Sequence, residues 1–249
     1  MASGNIVLRF ETVSFGYISE SPILDEASFS VREDAKLTLM GQNGAGKSTI
    51  FKLITGEVKP DYGQVHLSSG ATIATAKQVM AREHLAQSVR EYFAQAFLDV
   101  PYNLDKRIAD ILEVVNLTAP LEKLVGSFSG GQQARLLLAY ALIQEPDILL
   151  LDEPTNNLDR EGIDHLTMFL IMYPKTVLVI SHDADFLNSF TEGVLHLDVY
   201  TGKVEKYDGN YTDVVEEIAA RVERDRAKNA QLLKTIQDRK DKVNFFAHK

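Results

Sequence analysis

Cysteine is absent from the 249 residues. The chain therefore has no disulfide framework, no thiolate nucleophile and no cysteine-ligated metal or iron–sulfur centre. Long apolar runs are missing too. No stretch approaches the ~18 uninterrupted apolar residues that a spanning helix needs. The longest runs, such as Ile148–Leu151 and Val177–Ile180, have the length of buried strands. Residues 1–10 lack a basic segment followed by a long apolar one, which predicts no secretory signal. These absences together predict a cytoplasmic protein with no membrane insertion. In that setting the two glycosylation sequons, at Asn116 and Asn210, read as chance. There is no internal repeat and no low-complexity segment. What is present, 45% hydrophobic and 24% charged residues, is the balance of an ordinary globular protein rather than a disordered or collagen-like one. The length allows one large domain or two small ones.

The net charge of -9 is unevenly spread. Residues 216–249 hold nine basic and six acidic side chains, a net of +3, which leaves -12 on residues 1–215. An acidic body with a basic tail fits two readings. The tail either meets a polyanion or is a solvated charged helix.

Patterning divides the chain into strand-rich and helix-rich parts. Ile6–Phe10, Ala27–Val31, Lys36–Met40, Val65–Leu67 and Thr72–Ala76 read as strands. Ser48–Thr55 reads as a helix, with Gly56 as its stop. Between about Ala81 and Leu124 the texture becomes helical, and Ile108, Ile111, Leu112 and Val115 mark one amphipathic face. Gln132–Gln144 predicts another helix. Asp147–Leu151 and Thr176–Ile180 are continuously apolar, the texture of parallel strands covered on both faces. Val194–Leu197 and Gly202–Tyr207 suggest a hairpin. After Asn210 the pattern predicts one long, largely polar helix.

Gly41, Gln42, Asn43, Gly44, Ala45, Gly46, Lys47 and Ser48 fit G-x-x-x-x-G-K-[ST]. The motif sits after a predicted strand and opens a predicted helix, as a phosphate-binding loop does. Its glycines let backbone N–H groups curl inward towards phosphate oxygens. The helix N-terminus adds partial positive charge. Lys47 can reach the β- and γ-phosphates, and Ser48 can ligate Mg²⁺. Thr49 completes the nucleotide-binding set. The strand Ile148–Leu151 runs into Asp152 and Glu153. Carboxylates at a strand's C-terminal edge lie where open α/β sheets bind ligands. Asp152 can hold Mg²⁺, and Glu153 can orient and polarise a water. His182 follows another strand and can donate to a γ-phosphate. The remaining histidines read as structural.

Ser127, Phe128, Ser129, Gly130, Gly131 and Gln132 resemble the LSGGQ signature of ATP-binding cassette (ABC) proteins, with Phe128 in place of the usual Leu. Other cassette elements follow in order over residues 6–207. Tyr17 resembles the aromatic that stacks on adenine. Gln78 matches the glutamine loop, which implies a place for it among the catalytic and metal-contacting residues. Asn156, Asn157, Leu158 and Asp159 match the D-loop, and His182 matches the switch histidine. The resemblance implies an α/β fold of the P-loop NTPase, ABC ATPase type. Its parts would be a mixed sheet core, an antiparallel β subdomain and a helical signature subdomain at about 79–140. ATP and Mg²⁺ would be the ligands, with Ser129, Gly130, Gly131, Gln132 and Asp159 among the nucleotide contacts.

A finer resemblance is to ABC family F. Glu153–Asp159 reads E-P-T-N-N-L-D. Ser181–Leu187 is similar to that family's S-H-D-R-x-F-L, with Ala184 replacing Arg. Tyr207–Tyr211 matches Y-x-G-N-Y. Members carry two cassettes on one chain and act on ribosomes, in translation control or antibiotic resistance. No second phosphate loop precedes Lys249, so residues 1–210 are expected to be one cassette and 211–249 the start of a charged linker. A second cassette and ribosomal RNA are the expected partners. The alternative is the ATPase subunit of a membrane transporter, against which the basic tail and the family F elements argue.

Overall fold

The computed structural model describes residues 5–18, 22–76 and 79–247, with the side chains of residue 225 and of those from 238 onward set aside. Gln78 lies outside the described residues. The chain divides into two compact units, Met1–Tyr211 and Thr212–Lys249.

In the first unit, β1 (Ile6–Phe15), β2 (Leu24–Arg32) and β3 (Lys36–Met40) precede α1 (Lys47–Thr55). Strands β4 (Tyr62–Leu67) and β5 (Ile73–Thr75) lead to helices α2 (Val89–Ala94), α3 (Leu104–Val114) and α4 (Gly130–Ile143). Then β6 (Ile148–Asp152), α5 (Arg160–Met172), β7 (Thr176–Ile180) and α6 (Ala184–Phe190) alternate, and β8 (Gly193–Leu197) and β9 (Val204–Asp208) close the sheet. An antiparallel sheet runs β2-β1-β4, and a six-stranded sheet runs β5-β6-β7-β3-β8-β9. Within the larger sheet only β9 pairs antiparallel.

Strict period-two alternation inside continuously apolar strands explains how one sheet serves two cores. Leu149 and Leu151 of β6, with Val177 and Val179 of β7, pack among α3, α4, α5 and α6. Ile148, Leu150, Leu178 and Ile180 point the other way, into a core shared with α1 and the antiparallel sheet. Both faces are dry, so neither strand shows a polar side before Asp152. Phe10 and Phe29 stack at 4.4 Å between paired strands. Ile108, Ile111 and Leu112 of α3, with Val115 at its C-cap, are all buried, as their spacing predicts.

Several boundaries differ from expectation. β1 runs on to Phe15 through two register shifts, which polar Glu11 and Thr12 hide from an alternation pattern. Thr72 is not in β5; its N–H and hydroxyl bind Asp147 Oδ2 at 2.9 and 2.8 Å. Gly202 is a turn residue with φ 63°, so β9 starts at Val204. The second unit is one helix, α7 (Tyr211–Ala247 in full), whose apolar positions are widely separated by charge.

Candidate nucleotide-binding site

Three neighbouring strands deliver the site. Parallel pairing puts β6, β7 and β3 side by side, with Asp152 opposite Ile180. Their C-terminal ends lead to Asp152 and Glu153, to His182, and to residues 41–48 respectively. This is the sheet edge at which α/β folds collect ligands.

The loop after β3 is shaped by left-handed glycines, Gly44 at φ 79° and Gly46 at φ 104°. A β-carbon on Gly46 would lie 2.1 Å from Ile23 Cγ2, so the position excludes a side chain on two grounds. Gly46 caps α1 and supplies no side-chain acceptor to its N-terminal amides, which leaves that end suited to an anion. Lys47 Nζ folds back on the loop, donating to the carbonyls of Gly41 (2.8 Å) and Gln42 (3.2 Å). The ammonium is thereby tethered to the loop's own backbone. Ala45 is buried and offers only its backbone.

Ser48 Oγ donates to Asp152 Oδ2 at 2.8 Å. Two residues 104 positions apart thus place oxygens at one point. Glu153 Oε1 stands 3.2 Å from His182 Nε2, with side-chain exposures of 20% and 60%. Burial raises the Glu153 pKa, and the Asp152 carboxylate adds to the rise while His182 opposes it. Glu153 also has φ 51°. A non-glycine residue held in the left-handed region is strained, and such strain concentrates at functional sites. Its N–H donates to Ile180 O at 2.8 Å, which locks the strained conformation to β7.

Asn43, Gly44, Gly46, Lys47, Ser48, Thr49, Asp152, Glu153 and His182 line one cleft of about 590 Å³, with Tyr17 at its edge. Tyr17 is mostly exposed, and its ring meets Phe15 edge-on at 5.1 Å. The signature residues lie elsewhere. Ser129 caps α4 in a reciprocal box with Gln132, whose side chain turns back to the Ser129 N–H at 3.1 Å. None of Ser129, Gly130, Gly131, Gln132 or Asp159 lines the phosphate-loop cleft. Asp159 instead caps α5, accepting from Gly162 N at 3.0 Å, and meets Asn116 and Arg135. These five therefore stand apart from the nucleotide that this cleft would hold, as expected of a signature that closes over the nucleotide of a paired cassette. Sequence reasoning missed Asn116 and Arg135. Arg135 carried a signal, as a lone cation on an otherwise apolar stretch of α4.

A family model for ABC transporters matches residues 24–156. The chain belongs to the ATP-binding cassette family. The cassette is similar to a putative ATP-binding protein, YdiF, of Bacillus subtilis, at 35% identity over 84% of this chain and 32% of that protein. It is also similar to the energy-dependent translational throttle protein EttA of Mycobacterium tuberculosis, at 31% identity over 87% of this chain and 45% of that one. Against these relatives the cassette spans between a third and a half of their length. Its fold superimposes on an ATP-binding subunit of an ABC transporter with a TM-score of 0.72, at 23% identity, covering 86% and 93% of the two chains. No described helix is long and apolar enough to cross a membrane.

Proposed function

We propose that this cassette binds ATP with Mg²⁺, hydrolyses it to ADP and phosphate, and works as a nucleotide-gated switch on the ribosome in the manner of family F. The observation that carries the enzymatic part is the convergence of Lys47, Ser48, Asp152, Glu153 and His182 on one cleft. Tyr17 offers a face for the adenine, and the Gly41–Thr49 loop offers its amides and Lys47 to the triphosphate. Glu153 orients water for in-line attack on the γ-phosphorus, the bond to the β-phosphate breaks, and His182 donates to the γ-phosphoryl oxygens. Gln78 belongs to the same proposal.

Ser48 and Asp152 fit Mg²⁺, because they bring two hard oxygens together. The described residues hold no cluster of three or more His, Asp or Glu that could bind a metal alone. When bound, Mg²⁺ would offset phosphate charge during phosphoryl transfer.

The signature supports a paired mechanism. A β-carbon on Gly130 or Gly131 would meet nothing within 4 Å. Packing inside the chain therefore does not demand glycine there, whereas close approach of another molecule does. We assign that molecule as the nucleotide held by a second cassette, contacted by Ser129, Gly130, Gly131, Gln132 and Asp159. Residues 1–210 form the cassette, with a helical subdomain at about 79–140, and 211–249 begin the charged linker. The ribosomal role is supported by the likeness to a protein named as a translational throttle, by the family F motifs and by the tail's net charge of +3. The test is phosphate release with and without excess chelator, alongside co-sedimentation with ribosomal subunits or with membranes. Chelator-resistant hydrolysis would refute the Mg²⁺ requirement, and no phosphate release under pairing conditions would refute the enzymatic reading. Capture by membranes alone would replace the ribosome with a transporter.

A further inference from the structure

The second cavity touching Glu153 lies on the side of helix α4. It measures about 280 Å³ and is lined by Arg135, Asp152, Glu153, Asn156 and Asn157 among others. Arg135 forms part of its wall and is largely buried, with 18% of its side chain exposed. Its guanidinium makes three polar contacts at once. Nε donates to Asn157 O at 3.0 Å, Nη1 donates to Asn116 O at 2.7 Å, and Nη2 stands 3.6 Å from Asp159 Oδ2. Asn116 closes the ring. Its Nδ2 donates to both Asp159 oxygens, at 3.2 and 3.3 Å, and to Glu161 Oε2 at 3.2 Å. Asn116 holds φ 48°, the left-handed turn that ends α3. One cation thus joins α4, the end of α3 and the Asn156–Asp159 turn, which starts three residues after Glu153.

We propose that Arg135 is a positioning residue that couples the Asn156–Asp159 turn to the Ser129–Gly131 loop. The proposal rests on the ATP reading above. A guanidinium has a rigid fork, and two of its donors are fixed on backbone carbonyls rather than on mobile side chains. A shift of the turn when nucleotide occupies the cleft is therefore passed to α4, whose first turn begins five residues before Arg135. Lysine keeps the charge but donates from one point on a flexible stem, so it lacks the separated, coplanar donors that hold Asn157 O, Asn116 O and Asp159 in a fixed relation.

The test is hydrogen exchange on the whole chain, with and without ATP and Mg²⁺, at a concentration where light scattering reports a single-chain mass. In the parent, nucleotide should slow exchange at 41–49 and also at 129–135. In Arg135→Gln and Arg135→Lys the first protection should persist and the second should fall at least about threefold relative to the parent. Asn116→Gly provides a variant that accepts the left-handed backbone and keeps the carbonyl, while losing the clamp on Asp159; it should show the same selective loss. Protection at 129–135 that survives in all three variants overturns the coupling. So does its absence in a parent that still protects 41–49. A parent that protects neither segment refutes ATP binding itself, and the coupling with it.

Discussion

Glu153→Gln tests whether one carboxylate is kept at a structural cost for its chemistry. Glutamine keeps the shape and one acceptor oxygen but cannot polarise water as a base. Loss of a general base typically slows turnover ~10²–10⁴-fold, or about 2.7–5.4 kcal/mol of barrier at 1.36 kcal/mol per decade. Stability should move the other way. Burial disfavours the charged form, so the folded pKa is raised. A raised carboxyl contributes stability below its unfolded value, and that contribution is lost as pH rises through the folded one. Above the folded pKa it is gone, and the fold carries a half-buried charge. The neutral glutamine removes that burden, and the contact it weakens reaches a His182 that is 60% exposed, where an ion pair is worth only ~0–1 kcal/mol. Glu153→Gln should therefore melt at or above the parent temperature once the pH exceeds the folded pKa, with the gap narrowing as the pH falls towards the ordinary carboxylate range. Glu153→Gly adds relief of the φ 51° strain. That strain is roughly 1–2 kcal/mol, offset by ~0.5–1 kcal/mol of extra glycine chain entropy. The net gain of roughly 0–1.5 kcal/mol raises the melting temperature by up to about 6 °C in a domain of this size. Calorimetry and phosphate release under matched pairing conditions measure both sides. Turnover by Glu153→Gln within tenfold of the parent would refute the base assignment. A lower melting temperature for Glu153→Gly would refute the strain argument.

Lys47→Ala should weaken ATP binding at least about tenfold, since a charge-assisted hydrogen bond is worth ~1.5–3 kcal/mol; unchanged affinity in titration calorimetry would remove Lys47 from the site. Gly46→Ala should cost roughly 1–3 kcal/mol and lower the melting temperature, because its β-carbon would fall 2.1 Å from Ile23 Cγ2; an unchanged melting temperature would mean that the loop is not held as described. Asp147 accepts from Thr72 and pairs with Lys175 at 3.0 Å, which lowers its pKa to about 2. Its stabilisation is present above the ordinary carboxylate range and is lost as pH falls towards 2. The stability difference between the parent and Asp147→Asn should close over that window in acid titrations, and a gap independent of pH would contradict the contact's role.

The local chemistry of the nucleotide cleft is legible in the sequence because it is local. Gly41–Ser48 needs left-handed glycines and a cation within one turn, and Asp152 and Glu153 need the end of an apolar strand, so short-range pattern is enough. The helix Lys47–Thr55 with its Gly56 stop, and the strand Thr176–Ile180, were legible for the same reason. Other features depend on distance in the chain. The alternate residues of β6 and β7 look equivalent in sequence, yet the sheet sends them into two different cores. Ser48 and Asp152 become partners only because β3 and β6 flank β7. Motif matching marks Asp159 and Gln132 as nucleotide contacts, and only the fold adds that both also serve as helix caps within the chain. That Asn116 and Arg135 join Asn157 and Asp159 in one ring is not visible in the sequence, because two of the acceptors are backbone carbonyls, which every residue carries. Residue types and their spacing determined which chemistry the loop and strand ends can perform. Which groups face each other was decided only by the packing of helices against a shared sheet, since burial and partner choice arise from contacts between segments far apart in the chain.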